Sequence, residues 1–102
     1  MGLADLHIHT LYSYDGTASV PAVLKRARQV GLDVIAITDH DEIDGALRAL
    51  ELASAYGVEV IPGTEVTTSE GDLLALNITQ KIKRGRPLIE TVVSKLYIPR
   101  YT

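Results

Sequence analysis

The sequence predicts an α/β fold, layered or barrel-like, with its elements in the order β-α-β-α-β-β-α. Three patterns carry the prediction. Ala4-Asp5-Leu6-His7-Ile8-His9 alternates with period two, as a strand does. Val20, Val23, Leu24, Ala27 and Val30 recur at helical spacing. Val34-Ile35-Ala36-Ile37 is a continuous apolar run, expected of a parallel strand covered on both faces. A strand, a helix and a buried strand in that order make a right-handed β-α-β unit. A closed (β/α) barrel takes ~200 residues or more. At 102 residues the chain has about half of one.

In the first strand Asp5, His7 and His9 share one face, and Leu6 and Ile8 the other. Asp15-Gly16 signals a turn. Ser19 is the expected N-cap of the first helix, Pro21 suits its first turn, and Gly31 stops it. After the second strand comes a polar loop, Thr38 to Glu42. Asp44 is expected to cap a second helix that turns Leu47, Leu50 and Ala53 inward and ends at Gly57. Val58 to Ile61 starts a third strand that runs on through Gly63 and Glu65, and Leu73 to Ile78 forms a fourth. Ser69-Glu70-Gly71-Asp72 is too short for a parallel crossover, so it must be a hairpin or a sharp bend. Pro87 opens a last helix through Leu88, Val92 and Leu96.

Composition fits a single globular domain over residues 1–102, with 46% hydrophobic and 23% charged residues. No apolar run approaches a membrane span, and no secretory signal pattern opens the chain. The expectation is therefore a cytoplasmic protein with no membrane partner. Without cysteine, any metal must be held by nitrogen and oxygen. The net charge of −3 conceals an asymmetry. From Thr79 on, Lys81, Lys83, Arg84, Arg86, Lys95 and Arg100 face one acid, Glu90, while upstream twelve acidic residues face four basic ones. The basic segment 79–102 is either a solvated loop leading into a helix, or a surface for phosphate and nucleic acid through Lys81, Lys83, Arg84 and Arg86.

The chemistry gathers at strand ends, where α/β folds place their active sites. His7-x-His9 projects two imidazoles from one face of the first strand. His40 follows the second strand inside Thr38-Asp39-His40-Asp41, and Glu65 follows the third inside Gly63-Thr64-Glu65. Two imidazoles spaced so can grip one ion, and a carboxylate among histidines can bridge two cations. Each residue also has a plainer reading. His7 and His9 suit a core or a surface, Asp15 suits its turn, Asp41 a helix cap, and Glu65 an exposed strand end. His40 is the exception, since a turn needs no imidazole.

Taken together, these motifs resemble those of the polymerase-and-histidinol-phosphatase (PHP) family of metal-dependent phosphoesterases. Asp5-Leu6-His7-Ile8-His9-Thr10 with Ser13 and Asp15-Gly16 looks like its first motif, and Ala36-Ile37-Thr38-Asp39-His40-Asp41 resembles the second. Gly63-x-Glu65, followed by Gly71-x-Leu73-Leu74-x-Leu76, is similar to the third. The motifs lie within residues 3–78. The resemblance implies the N-terminal half of a distorted (β/α)7 TIM-like barrel, with two or three divalent ions (Zn, Mn or Fe) that hydrolyse phosphate esters through a metal-bound hydroxide. By the same resemblance His7 and His9 hold one ion, Glu65 bridges it to a second, and Asp15 and His40 hold a third. Asp39 orients a ligand, and Asp39, His40 and Glu65 are the candidate catalytic residues. Asp72 completes the metal-ligand set, His7, His9, Asp15, His40, Glu65 and Asp72, although many relatives carry histidine where this chain has Asp72.

The family continues into a His-Pro motif, a further His or Cys ligand and a closing Asp-x-His, none of which is present before Thr102. A truncated or frame-shifted relative is expected. The leading function is hydrolysis of a phosphorylated small molecule or nucleotide. The alternatives are a non-catalytic metal-binding half-barrel that acts within an assembly, and an amidohydrolase-like metal hydrolase. An unpaired sheet edge and an open sheet face also predict a homo-oligomer.

Overall fold

A computed structural model of the chain describes residues 2–96, with side chains up to Val92 in the last helix. The strands are β1 (Ala4–Ile8), β2 (Val34–Ile37), β3 (Glu59–Thr68) and β4 (Gly71–Leu76). The helices are α1 (Val20–Gln29), α2 (Asp44–Tyr56) and α3 (Leu88–Leu96). The predicted element order holds throughout. The stretch Tyr97–Thr102 lies outside the described residues, as does the Leu96 side chain.

The sheet is curled into a half-barrel with strand order β1-β2-β3-β4. β1, β2 and β3 run parallel, and β4 returns antiparallel to β3 through the tight turn at Ser69-Glu70. β2 sits in the middle, and Ile35, Ala36 and Ile37 are fully buried, as an unbroken apolar run requires. Val20, Leu24 and Ala27 of α1 pack with Ile35, Ile37, Val58 and Val60 into one core. Both outer strands leave apolar side chains in solvent: Leu6 on β1, Leu74 and Leu76 on β4.

Four local expectations are corrected. Val30 is half exposed because α1 ends at Gln29, and Gly31 (φ 83°) already turns the chain away. Ser19 does cap α1, its hydroxyl accepting from Ala22 N–H. Asp44 does not cap α2. Ile43 occupies that position without a side-chain bond, and Asp44 is the first helical residue, where its charge complements the helix dipole. The seam of α2 is made of Gly45, Ala46 and Ala49, with Leu50 exposed and Leu47 and Ala53 only partly buried. Small residues win there because α2 lies tight against α1 and β3. β4 begins at Gly71 and ends at Leu76, two residues earlier than expected at each end. Asn77 (φ 60°) breaks the ladder, and Ile78 drops into the core with its N–H on Pro62 O at 2.9 Å.

Candidate metal centre

Three strand ends build the site. The end of β1 carries His7 and His9 on the face opposite Ile8, which packs against the core. Thr10 follows, fully buried, and both its N–H and its hydroxyl donate to the Asp39 carboxylate. The chain then folds back on itself. Ser13 N–H donates to Thr10 O at 2.9 Å and Gly16 N–H to Ser13 O at 3.1 Å. Gly16 lies so close to the Thr10 backbone that any Cβ would collide with it. That turn aims Asp15 back toward the histidines.

The end of β2 supplies Asp39, His40 and Asp41, each tied to another strand. Buried carboxylates need partners, and Thr10 satisfies Asp39. The Asp39 carbonyl accepts the Glu65 N–H and the Thr64 hydroxyl, both at 3.0 Å. His40 N–H donates to Ser13 Oγ at 3.1 Å. Asp41 takes a left-handed backbone (φ 53°), donates its N–H to Glu65 O at 3.0 Å, and accepts from Thr67 N–H (2.8 Å) and the Thr67 hydroxyl (2.6 Å). Asp41 thus brackets the loop onto β3 rather than capping α2. Because β3 runs on to Thr68, Glu65 lies inside the strand and not beyond it, bridged to His40.

Within this frame the six expected ligand side chains converge. Glu65 Oε1 accepts from His7 Nε2 at 2.6 Å and from His9 Nε2 at 2.8 Å. Asp15 meets His9 Nδ1 at 3.1 Å and His40 Nε2 at 3.0 Å. The rings of His9 and His40 are 4.4 Å apart. Three overlapping sets, His7-His9-Glu65, His9-Asp15-His40 and His40-Glu65-Asp72, each bring their donor atoms within 4.8 Å of one another. Asp72 reaches the cluster across the hairpin, where it faces Thr67. Asp39 touches none of the imidazoles; its carboxylate is used by Thr10.

The charges are arranged for a cation. Desolvation alone would raise the Glu65 carboxyl, but hydrogen bonds from His7 and His9 outweigh it and hold it below the usual range. Asp15 is lowered in the same way: the Ser13 hydroxyl and the His9 and His40 imidazoles overcome its desolvation. Asp72 goes the other way, raised chiefly by its contact with Glu65 and further by partial desolvation. Among the described residues, no lysine or arginine pairs with Glu65 or Asp72. Imidazole nitrogens and crowded, uncompensated carboxylates are the donors that borderline and hard divalent ions take, so the residues fit such ions.

Beside the cluster lies an open cleft of about 950 Å³, lined by Tyr14, His40, Asp41, Thr67 and Asp72 and by Lys81, Lys83 and Arg84 of the basic segment. Lys81 pairs with Glu42 at 3.0 Å and Arg84 with Asp41 at 3.4 Å. Arg86 is not part of this lining. Its carbonyl accepts Ser69 N–H at 2.9 Å. Sequence reasoning quoted Thr10 and Thr64 inside motifs without giving them a role, and passed over Thr67 and Gly45. The available signal was a hydroxyl residue beside each ligand-bearing motif. No helix among the described residues is long and apolar enough to cross a membrane.

Comparison with known proteins agrees with this geometry. An uncharacterized protein of Methanocaldococcus jannaschii is 37% identical over 99 residues, covering 87% of this chain and 58% of the relative. An error-prone DNA polymerase of Nocardia farcinica is 33% identical over 84 residues, 81% of this chain and 7% of the polymerase. A phosphoribosyl 1,2-cyclic phosphate 1,2-diphosphodiesterase of Eggerthella lenta is 40% identical over 65 residues, 64% of this chain and 24% of that enzyme. Among solved structures, a candidate metal-dependent phosphoesterase of Bifidobacterium adolescentis superposes with a TM-score of 0.61 at 37% identity, over 66% of this chain and 23% of that one. An amidohydrolase of Chromobacterium violaceum gives 0.60 at 35% identity, over 65% and 23%. The chain thus spans little more than half of the first relative and a small part of the others. The family model of the PHP domain matches residues 5–95, and the chain belongs to the PHP domain family.

Proposed function

We propose that the cluster holds divalent cations and that the chain serves the hydrolysis of phosphate esters there. One observation carries the reading: a single oxygen, Glu65 Oε1, is shared by His7 and His9, while Asp15 is shared by His9 and His40. Shared donors of this kind suit ions held side by side. Family membership and phosphoesterase relatives support the reaction class. His7, His9 and Glu65 would hold one ion, His40, Glu65 and Asp72 a second, and His9, Asp15 and His40 the remaining position. Zinc, manganese or iron accept such donors. Bound cations supply Lewis acidity and a source of hydroxide near neutral pH. Glu65 and His40 serve as shared ligands, and Asp39 acts at one remove, by fixing Thr10 and the Glu65 N–H.

Residues 1–102 act as one domain in a cytoplasmic setting. Lys81, Lys83 and Arg84 face the cleft and favour a phosphorylated small molecule, nucleotide or nucleic acid. The test is metal content by mass spectrometry after purification without chelator, beside release of p-nitrophenol from its phosphate mono- and diesters. One or more ions per chain and chelator-sensitive hydrolysis are expected, both lost in the double variant His7→Ala/His9→Ala. Full metal content in that variant, or hydrolysis indifferent to chelator, overturns the proposal.

A second reading, a metal-holding half that works only within an assembly, is favoured by the exposed apolar side chains on both outer strands. Sedimentation with and without added manganese separates the two. Hydrolysis only by a dimer or larger species supports the assembly, and an active monomer excludes it. The backbone likeness to an amidohydrolase leaves amide hydrolysis as the remaining outcome, and the Thr38-Asp39-His40-Asp41 loop favours phosphate.

A further inference from the structure

Tyr14 makes no packing contribution that would explain it. It is 85% exposed, and among the described residues its only ring contact is with His40, at 4.7 Å between centroids and an interplanar angle of 31°. Exposed aromatic area costs free energy in water, and a ring kept there usually awaits an occupant or is simply tolerated. Three features separate these cases here.

The first is rigidity. The turn that carries Tyr14 is pinned on both sides: Ser13 before it is buried, and its hydroxyl donates to Asp15 at 2.8 Å and accepts from His40 N–H. Gly16 is wedged against the Thr10 backbone. The ring therefore stands on a fixed turn, which lowers the ordering cost of anything that stacks on it. The second is position. His40, the residue it leans on, belongs to two of the three ligand sets, so a ring on Tyr14 stands within one side chain of the cluster. The third is the basic segment that lines the same cleft. Lys81 and Arg84 are paired with Glu42 and Asp41, whereas Lys83 has no ion-pair partner among the described residues.

We propose that Tyr14 is a stacking platform for the planar ring of the substrate, with Lys83 facing its anionic part, so that the site takes phosphate esters carrying an aromatic or heterocyclic group, such as a nucleoside phosphate. The inference rests on the phosphoester reading above and deepens it. Tyr14 would be a specificity residue: it selects which ester dwells at the cluster and leaves the metal ligands as they are.

The experiment measures binding and needs no turnover. The full chain, loaded with manganese, is titrated calorimetrically with adenosine 5′-monophosphate and, separately, with ribose 5-phosphate, which has the same phosphate and sugar but no base. Base-aromatic stacking is worth roughly tenfold or more in affinity. Adenosine monophosphate should bind the native chain about that much tighter than ribose phosphate. Tyr14→Ala should erase the difference by weakening the nucleotide alone, and Tyr14→Phe should keep it. Lys83→Gln should weaken both ligands alike. Equal affinity of the native chain for the two ligands overturns the platform while leaving phosphate binding intact. Binding of neither overturns the platform and the phosphoester reading together. Should Tyr14→Ala instead lower manganese content and leave the ligand ratio unchanged, the ring is a cover for His40 and the proposal is wrong.

Discussion

The two walls of the cleft are held in different ways. The wall formed by the ends of β1, β2 and β3 is joined by buried hydrogen bonds from Thr10 to Asp39 and between Asp39 and Thr64, with Ser13 to His40 and Asp39 to Glu65 beside them. The wall formed by the basic segment is held by the pairs Lys81–Glu42 and Arg84–Asp41, in which both cations are exposed. A buried hydrogen bond broken on one side leaves an unsatisfied group and costs about 1–3 kcal/mol. An exposed ion pair is worth about 0–1 kcal/mol and weakens with salt. The ligand wall is therefore built for placement, and the basic wall for adjustable attraction.

The largest expected effect tests the rigid wall through its ions. His7→Ala/His9→Ala should abolish the tightest-bound ion, and with it the rise in unfolding temperature that a cation gives the native chain. Equilibrium dialysis and a thermal melt, with and without manganese, measure both. Next comes Gly45, whose Cα lies under the Asp39 carboxylate. A Cβ there would meet Thr10 Oγ1 at 2.8 Å and press on Asp39 itself. Gly45→Ala should cost about 1–3 kcal/mol by urea unfolding, despite the better helix propensity of alanine. No loss of stability would mean that the wall yields where it is described as rigid.

A smaller effect concerns the carboxylates and pH. Asp15 and Glu65 are lowered, so their contribution is full above the ordinary carboxyl range and is lost as pH falls through their folded values. Asp72 is raised by Glu65, so its ionised form works against the metal-free fold at neutral pH, and that penalty lifts in acid. Asp72→Asn should therefore raise the melting temperature of the metal-free chain at pH 7 and bring no gain below about pH 3.9, the ordinary aspartate value. With manganese bound, the same substitution should lower it, because a donor is lost. The smallest effect belongs to the loose wall. Lys81→Gln should change stability by less than about 1 kcal/mol, and any change should vanish in 0.5 M salt. A larger loss would show that the basic wall is structural after all.

What could be read in advance divides along the same line. Strand and helix order followed from periodicity, and the cluster of candidate ligands from imidazoles and carboxylates standing at strand ends. Those patterns are local. The rest depended on partners far away in the chain. Nothing near Asp41 says that Thr67 will satisfy its carboxylate, so a helix cap was the natural expectation. Nothing near Leu50 says that α2 lies too close to its neighbours for a leucine in the seam, which Ala46 and Ala49 fill instead. Thr10 was visible as part of a motif, but its bond to Asp39 spans 29 positions and needed the fold to appear.

The tight turn between β3 and β4 has a consequence for the order in which the protein assembles. β3 and β4 are neighbours in sequence and can pair early, whereas β1 meets β2, and β2 meets β3, only after a helix has been threaded between them. Local pairs close fast and distant ones late. Glu65 and Asp72 both ride on the hairpin, so two carboxylates are brought together before any histidine arrives. A bound cation would gain its nitrogen donors only when the slow parallel pairing is done, on the native side of the folding barrier. Its stabilisation should then appear almost wholly as slower unfolding, with the refolding rate little changed by metal.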